Sequence, residues 1–298
     1  MRIEKPGIYR GVSPADYFQD PCPEPSLTQS IAKVLLERSP MHAWTEHPRL
    51  NPHWEEDNDK KFDLGNVAHA LMLGRGKDFE ILPFLDYRTK AAQEARVAAH
   101  DAGKVAILQH QFEQASDMVA SAVDQLASHE DSDAFDNGCP EVMIAWQEGG
   151  IWCRSLVDFL TDDLRNITDY KTKGVSVAPH VIGMHAANDG WHIQANFIYR
   201  GLNSLDPGGM GKRRFRFIAQ ETEPPYALTV MHIDDHWMLM GHKQVDIATA
   251  TWRRCIKNDL WPGYPAKGIV PEFPGYKEKL WLDRELSGEF DPTVQMAG

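Results

Sequence analysis

An α/β (α+β) fold is predicted for this chain, and three observations predict it. The first 130 residues carry helical periodicity, residues 139–171 divide into three short apolar stretches separated by turn residues, and beyond them helical and strand patterns alternate up to a long helix ending near residue 260. With 298 residues, 42% hydrophobic and 25% charged, the chain can bury a sizeable core and has the balance of a soluble globular protein. No repeat or linker divides it, so a single domain is expected: residues 1–130 mainly helical, 131–265 sheet-centred, 266–298 a C-terminal tail.

Taken in order, Ser26-Leu27-Thr28-Gln29 has the form of a capping box, with Leu27, Ile31, Val34 and Leu35 following at helical spacing to about Ser39-Pro40. Residues 47–61 are polar, contain two prolines and show no period, which predicts a surface loop. Asp63 is placed to cap a second helix whose stripe is Leu64, Ala68, Leu71 and Met72, with Gly65 and His69 one turn apart on a neighbouring face. From Lys90 to Leu126 the composition favours two more helices broken at Gly103.

Residues 139–148, 151–160 and 164–171 then predict an antiparallel meander turning at Gly149-Gly150 and Thr161-Asp162-Asp163. A helical region follows from Ala178 to Leu202, interrupted near Asn188-Asp189-Gly190. Two strands, 215–221 and 226–233, flank Glu223-Pro224-Pro225, and a helix runs from Trp237 to Leu260.

The formal charge of −12 counts against a protein coated in nucleic acid, because phosphate binding depends on Lys and Arg. A local basic groove is compatible with it, and Lys212, Arg213, Arg214 and Arg216 form one such cluster beside Gly208-Gly209 and Gly211. No apolar run approaches the ~20 residues of a membrane span, and the opening MRIEKPGIYRG has no signal-peptide core, so a cytoplasmic protein is expected. Cys22, Cys139, Cys153 and Cys255 form no CxxC, which points to reduced, mostly buried thiols. His232-x3-His236 has metal-ligand spacing but no third ligand nearby, so a zinc site there is not expected.

The chemistry concentrates in the meander. Asp169 and Lys171, two apart on a strand, share a face about 6–7 Å apart. Pairing through the Thr161-Asp162-Asp163 turn brings Asp158 within about two positions of Asp169, and Glu141 on the preceding strand adds a third carboxylate if register holds. Carboxylates gathered on one face repel unless a cation lies among them, and oxygen ligands favour magnesium, with manganese as the substitute. Such a set suits phosphodiester hydrolysis: Asp158 and Asp169 hold the metal, and Lys171 positions or helps deprotonate water and stabilises developing charge. The competing reading is a surface hairpin with one salt bridge. A second tripeptide of the same form, Asp59-Lys60-Lys61, lies in the polar loop and shows how often the pattern arises by chance.

The collinear set Gly65-x3-His69, Glu141, Asp158, Asp169-Tyr170-Lys171-Thr172 and Gln194 resembles the lambda-exonuclease and RecB-like branch of the PD-(D/E)xK nucleases. SLTQSIAKVLLERSPMHAW, FDLGNVAHALMLG, DYKTK, EPPYALTV and WPGY are similar to the phage-type exonuclease VIII group, over roughly residues 20–265. The resemblance implies a restriction-endonuclease-like core, a central mixed sheet flanked by helices. It implies Asp158 and Asp169 as metal ligands, Glu141 as a further one, metal contact by the Tyr170 carbonyl, His69 near the metal, and Lys171 and Gln194 as catalytic residues. The family's Q-x3-Y tyrosine position is occupied by Ile198, and Tyr199 is displaced by one; a DNA contact by Tyr199 is carried with that departure.

The implied activity is a magnesium-dependent exodeoxyribonuclease acting 5′ to 3′ on one strand at double-stranded DNA ends. A ring-shaped homo-oligomer, a single-strand annealing recombination protein as partner and a phage context are implied with it. An endonuclease, a repair or CRISPR-type nuclease module, and a non-cleaving DNA-binding scaffold are the alternatives.

Overall fold

The computed structural model describes residues 1–55, 64–74 and 79–290. Met1–Gly263 form one compact unit and Tyr264–Gly298 another. The elements of the first are β1 (Gly7–Tyr9), α1 (Pro14–Phe18), β2 (Ser26–Leu27), α2 (Gln29–Glu37), α3 (Pro40–Thr45), α4 (Leu64–Leu73), β3 (Phe79–Leu82), α5 (Lys90–Asp101), β4 (Val105–Leu108), α6 (Gln109–Ala127), β5 (Gly138–Glu148), β6 (Ile151–Thr161), β7 (Asn166–Lys173), α7 (Ile182–Asp189), α8 (Trp191–Leu205), β8 (Arg214–Glu221), β9 (Leu228–His232) and α9 (Asp235–Asn258). In the second unit, α10 (Gly275–Leu286) is followed by Phe290, whose ring stacks on Trp281 at 4.9 Å between centroids. Among the described residues no helix is long and apolar enough to cross a membrane.

The predicted meander is present. β5, β6 and β7 are antiparallel neighbours, β7 pairs parallel with β8, and β8 antiparallel with β9. β1 joins at β5, and β2 runs parallel to the start of β6, completing a mixed seven-stranded sheet. Helices cover both faces. On one, α2, α8 and α9 pack over Trp146, Phe197, Phe215, Phe217 and Trp252, each fully buried side chain of this kind contributing roughly 1.5–3 kcal/mol. Gly201 lets α8 approach β5, because a Cβ there would come within 2.7 Å of the Trp146 ring. On the other face, α4 and α6 enclose Tyr170 and Ile218.

Several sequence expectations are corrected. Within the first 130 residues the helices are joined by short strands that the sequence pattern does not show. β1 and β2 are three and two residues long and owe their extended form to pairing with β5 and β6, while β3 and β4 form a separate two-stranded parallel sheet. None is long enough to print a period on the sequence. The N-cap of α2 is Thr28, whose Oγ1 accepts from Ile31 N at 3.2 Å. Ser26 lies in β2 instead, its Oγ donating to Asp20 at 2.8 Å.

The loop expected over residues 47–61 begins at a fully buried His47, whose Nε2 is 3.3 Å from Asp20 Oδ2. Arg154 completes that buried network, with Nη1 3.0 Å from Asp20 Oδ1. The Asp63 cap and Asp59-Lys60-Lys61 fall outside the described residues. Of the four cysteines, all free, Cys139 is half-buried and the others are buried.

Candidate active site

β6 and β7 pair at Leu160↔Ile167 and Phe159↔Thr168 and no further, while β7 stays paired with β8 from Asn166↔Arg214 to Lys173↔Glu221. Continuing the register sets Asp158 across from Asp169 at the point where the two strands separate. A side chain replaces the missing strand bond: Asp158 Oδ2 accepts the Tyr170 N–H at 3.1 Å. The same oxygen accepts from His69 Nε2 of α4 at 2.9 Å.

Glu141 lies between the pairs Pro140↔Phe159 and Val142↔Val157, opposite Asp158 and half-buried. Its φ of +50° is a left-handed conformation rare for a residue with a Cβ. Strand alternation is interrupted here, since Val142 and Cys139, three apart, pack into the same cluster, as do Val157 and Leu160.

Asp169 is 1% exposed. Lys171 Nζ lies 2.6 Å from its Oδ1, and Gln194 of α8 donates its amide N–H to Oδ2. Burial, reinforced by the neighbouring Asp158 charge, pushes the Asp169 carboxyl up to about 6. Burial also opposes charge on Asp158, but the His69 hydrogen bond and the His69 and Lys171 charges outweigh it, so its pKa lies below the ordinary value. For His69, burial is outweighed by its hydrogen bond to Asp158, and its pKa is raised. The two carboxylates likewise overcome burial at Lys171 and hold it above the ordinary lysine value. Asp169 Oδ1, beyond its ion pair, receives no hydrogen bond. An under-compensated buried oxygen beside a second carboxylate is what a divalent cation requires, and Asp158 and Asp169 fit one.

A cavity of about 330 Å³ opens beside Asp158, with Asp169 buried behind Lys171 and Gln194, which contact it. Asp158, Lys171 and Gln194 line it with Gln29 and Lys33 of α2 and Asp189 at the end of α7. Gln29 is held by Ser155, whose Oγ donates to its Oε1 at 2.9 Å. The structure thus brings His69, Asp158, Asp169, Lys171 and Gln194 together, with Glu141 at the facing register position. The Tyr170 side chain turns to the opposite face, where its ring lies 6.2 Å from the His69 ring and its hydroxyl donates to Gln220. Gln29, Lys33 and Asp189 were missed in the sequence, which offers no pattern joining α2 to β7.

The basic cluster is corrected. Arg216 is 2% exposed, with Nη1 2.8 Å from both Asp131 and Asp133 and Nε donating to Thr168 at 3.0 Å. Arg213 binds Asp206 at 2.7 Å and the Leu164 carbonyl at 3.1 Å. Both guanidiniums serve the fold, leaving Lys212 and Arg214 exposed. Tyr199 does not reach the cavity: its hydroxyl donates to the Arg213 carbonyl at 2.9 Å and its ring packs near Phe215. Glu130, Asp131 and His232 gather ligand atoms within 4.8 Å, but Arg216 already supplies Asp131 with its cation, and His232 donates to Asp131 at 2.8 Å.

Two carboxylates facing each other where a mixed sheet separates, with a lysine two residues beyond the second, define the PD-(D/E)xK class. The model of the family described as a PDDEXK-like domain of unknown function (DUF3799) matches residues 30–268, and the chain belongs to that family. The fold is similar to the crystal structure of a presumed exonuclease from Eubacterium rectale, with a TM-score of 0.56 and 12% identity over 89% of this chain and 96% of that one. No curated protein matches the chain.

Proposed function

We propose that this chain is a divalent-metal-dependent exodeoxyribonuclease of the exonuclease VIII type, hydrolysing one strand from duplex DNA ends in the 5′ to 3′ direction. The observation that carries the reading is the Asp158–Asp169 pair, whose buried Asp169 carboxyl has a raised pKa despite its ion pair with Lys171, beside a cavity that Asp158 and Lys171 line. Asp158 and Asp169 would hold magnesium or manganese, with Glu141 and the Tyr170 carbonyl as further ligands. A bound divalent ion supplies Lewis-acid polarisation of the phosphoryl oxygen and lowers the pKa of water.

The chain's own residues do the rest. His69 and the Tyr170 amide fix the Asp158 carboxylate, and Gln194 fixes that of Asp169, so the ligands need no reorganisation on substrate entry. Lys171, held charged by the carboxylates, donates to phosphoryl oxygens as negative charge builds and orients the attacking water. A ring assembly and an annealing-protein partner belong to the same reading.

The test is degradation of linear and covalently closed circular duplex by purified protein with magnesium or manganese. Loss of the linear form, with a 5′ label released first and the circle untouched, is expected. Nicking of the circle favours the endonuclease alternative, and no cleavage of either favours a binding scaffold.

A further inference from the structure

Lys173 continues the β7 stripe of Asp169 and Lys171 by one more alternate position, placing it about 6–7 Å beyond Lys171 on the same strand face. Its side chain is 21% exposed, and its ammonium binds the carboxylate of Asp189, which lines the catalytic cavity. Lys33 meets the same corner from α2, donating to the Asp189 carbonyl at 2.9 Å and the Asn188 carbonyl at 3.4 Å. Gly190 makes this approach possible: it ends α7 in a left-handed conformation with φ 75°, and a Cβ there would come 3.3 Å from Lys33 Cδ. Lys173 and Lys33 therefore meet at one corner of the cavity wall, Lys173 on the Asp189 carboxylate and Lys33 on the Asp189 and Asn188 carbonyls.

We infer that Lys173 is a backbone-phosphate contact for the DNA strand next to the scissile position, and that the Asp189 carboxylate occupies that phosphate's place until DNA enters. The inference rests on the nuclease reading. An anionic carboxylate and an anionic phosphate compete for the same ammonium, and the strand rise separating Lys173 from Lys171 is about the step between neighbouring phosphates along one strand. The Trp191 ring, 5.8 Å from the Lys173 ammonium, supports the side chain in either state. Lys33, which donates to backbone carbonyls at this corner and lies 3.7 Å from Glu37, does not compete with Lys173 for the Asp189 carboxylate. Asp189 thus weakens non-productive binding, and DNA must displace it to dock.

The experiment measures binding of a fluorescent duplex oligonucleotide in EDTA across a salt series, for wild type, Lys173→Gln, Lys173→Arg, Asp189→Asn and the Lys173→Gln/Asp189→Asn double variant. Losing one phosphate contact lowers the slope of log K against log salt by about 0.9. Lys173→Gln is expected to show that loss and Lys173→Arg to restore the slope. Asp189→Asn is expected to tighten binding several-fold, and the gain should vanish in the double variant. An unchanged slope in Lys173→Gln, or an equal gain from Asp189→Asn with and without Lys173, overturns the inference while leaving the nuclease reading intact. A wild type that neither binds nor cleaves DNA overturns both.

Discussion

Asp158 Oδ2 receives two hydrogen bonds, one from the Tyr170 amide at 3.1 Å and one from His69 at 2.9 Å, across the gap where β6 and β7 cease to pair. The carboxylate is thereby oriented before any cation arrives. Removing a side chain that orients a metal ligand typically weakens metal affinity 10–100-fold. His69→Ala should therefore shift the manganese concentration for half-maximal DNA degradation upward by that factor, with activity recovered at high metal. Full activity at unaltered metal demand would remove His69 from the site.

At Asp169 the expected effects on activity and stability have opposite signs. Its carboxyl is raised to about 6 by burial and by Asp158, so the ionised form is held at a cost to the metal-free protein. Asp169→Asn should abolish degradation yet raise Tm in EDTA by roughly 2–4 °C, the shift produced by about 1 kcal/mol in a domain of this size. Lys171→Ala should also abolish degradation, and Asp59→Ala should retain it. A lower Tm for Asp169→Asn would mean that the ion pair with Lys171 outweighs the repulsion.

Arg216 is expected to behave as a structural residue. Its guanidinium and the Asp131 carboxylate are nearly fully enclosed, and deleting one partner of a buried pair costs about 3–5 kcal/mol. Urea denaturation should show that loss for Arg216→Ala, while Lys212→Ala and Arg214→Ala stay within about 0.5 kcal/mol of wild type.

The Asp20 network carries a pH dependence. Burial opposes ionisation of Asp20, but the His47 hydrogen bond and the Arg154 charge outweigh it and hold the folded pKa below the ordinary value. A depressed carboxyl pKa stabilises the fold above the unfolded value, about 3.9, and that stabilisation is lost as pH falls through it toward the folded value. The stability margin of wild type over Asp20→Asn should be constant above about pH 5 and shrink below about pH 4, as read by denaturant titration at each pH. A margin independent of pH down to 3 would show that Asp20 stabilises by shape and hydrogen bonding without its charge.

Local pattern in the sequence was enough for the meander, the break at Gly190 and the shared face of Asp169 and Lys171, because strand alternation, turn residues and left-handed glycines act over a few neighbouring positions. Asp158 followed from the same logic, since a short turn sets the register across it. The chain alone did not disclose that Arg216, at the end of a basic run, meets Asp131 85 residues earlier, or that Lys173 meets Asp189. Nor did it disclose the left-handed backbone of Glu141 or the strands β1 and β2. Each of these depends on which distant group occupies the space beside a residue and how much water is excluded there, and only the packed tertiary structure sets both.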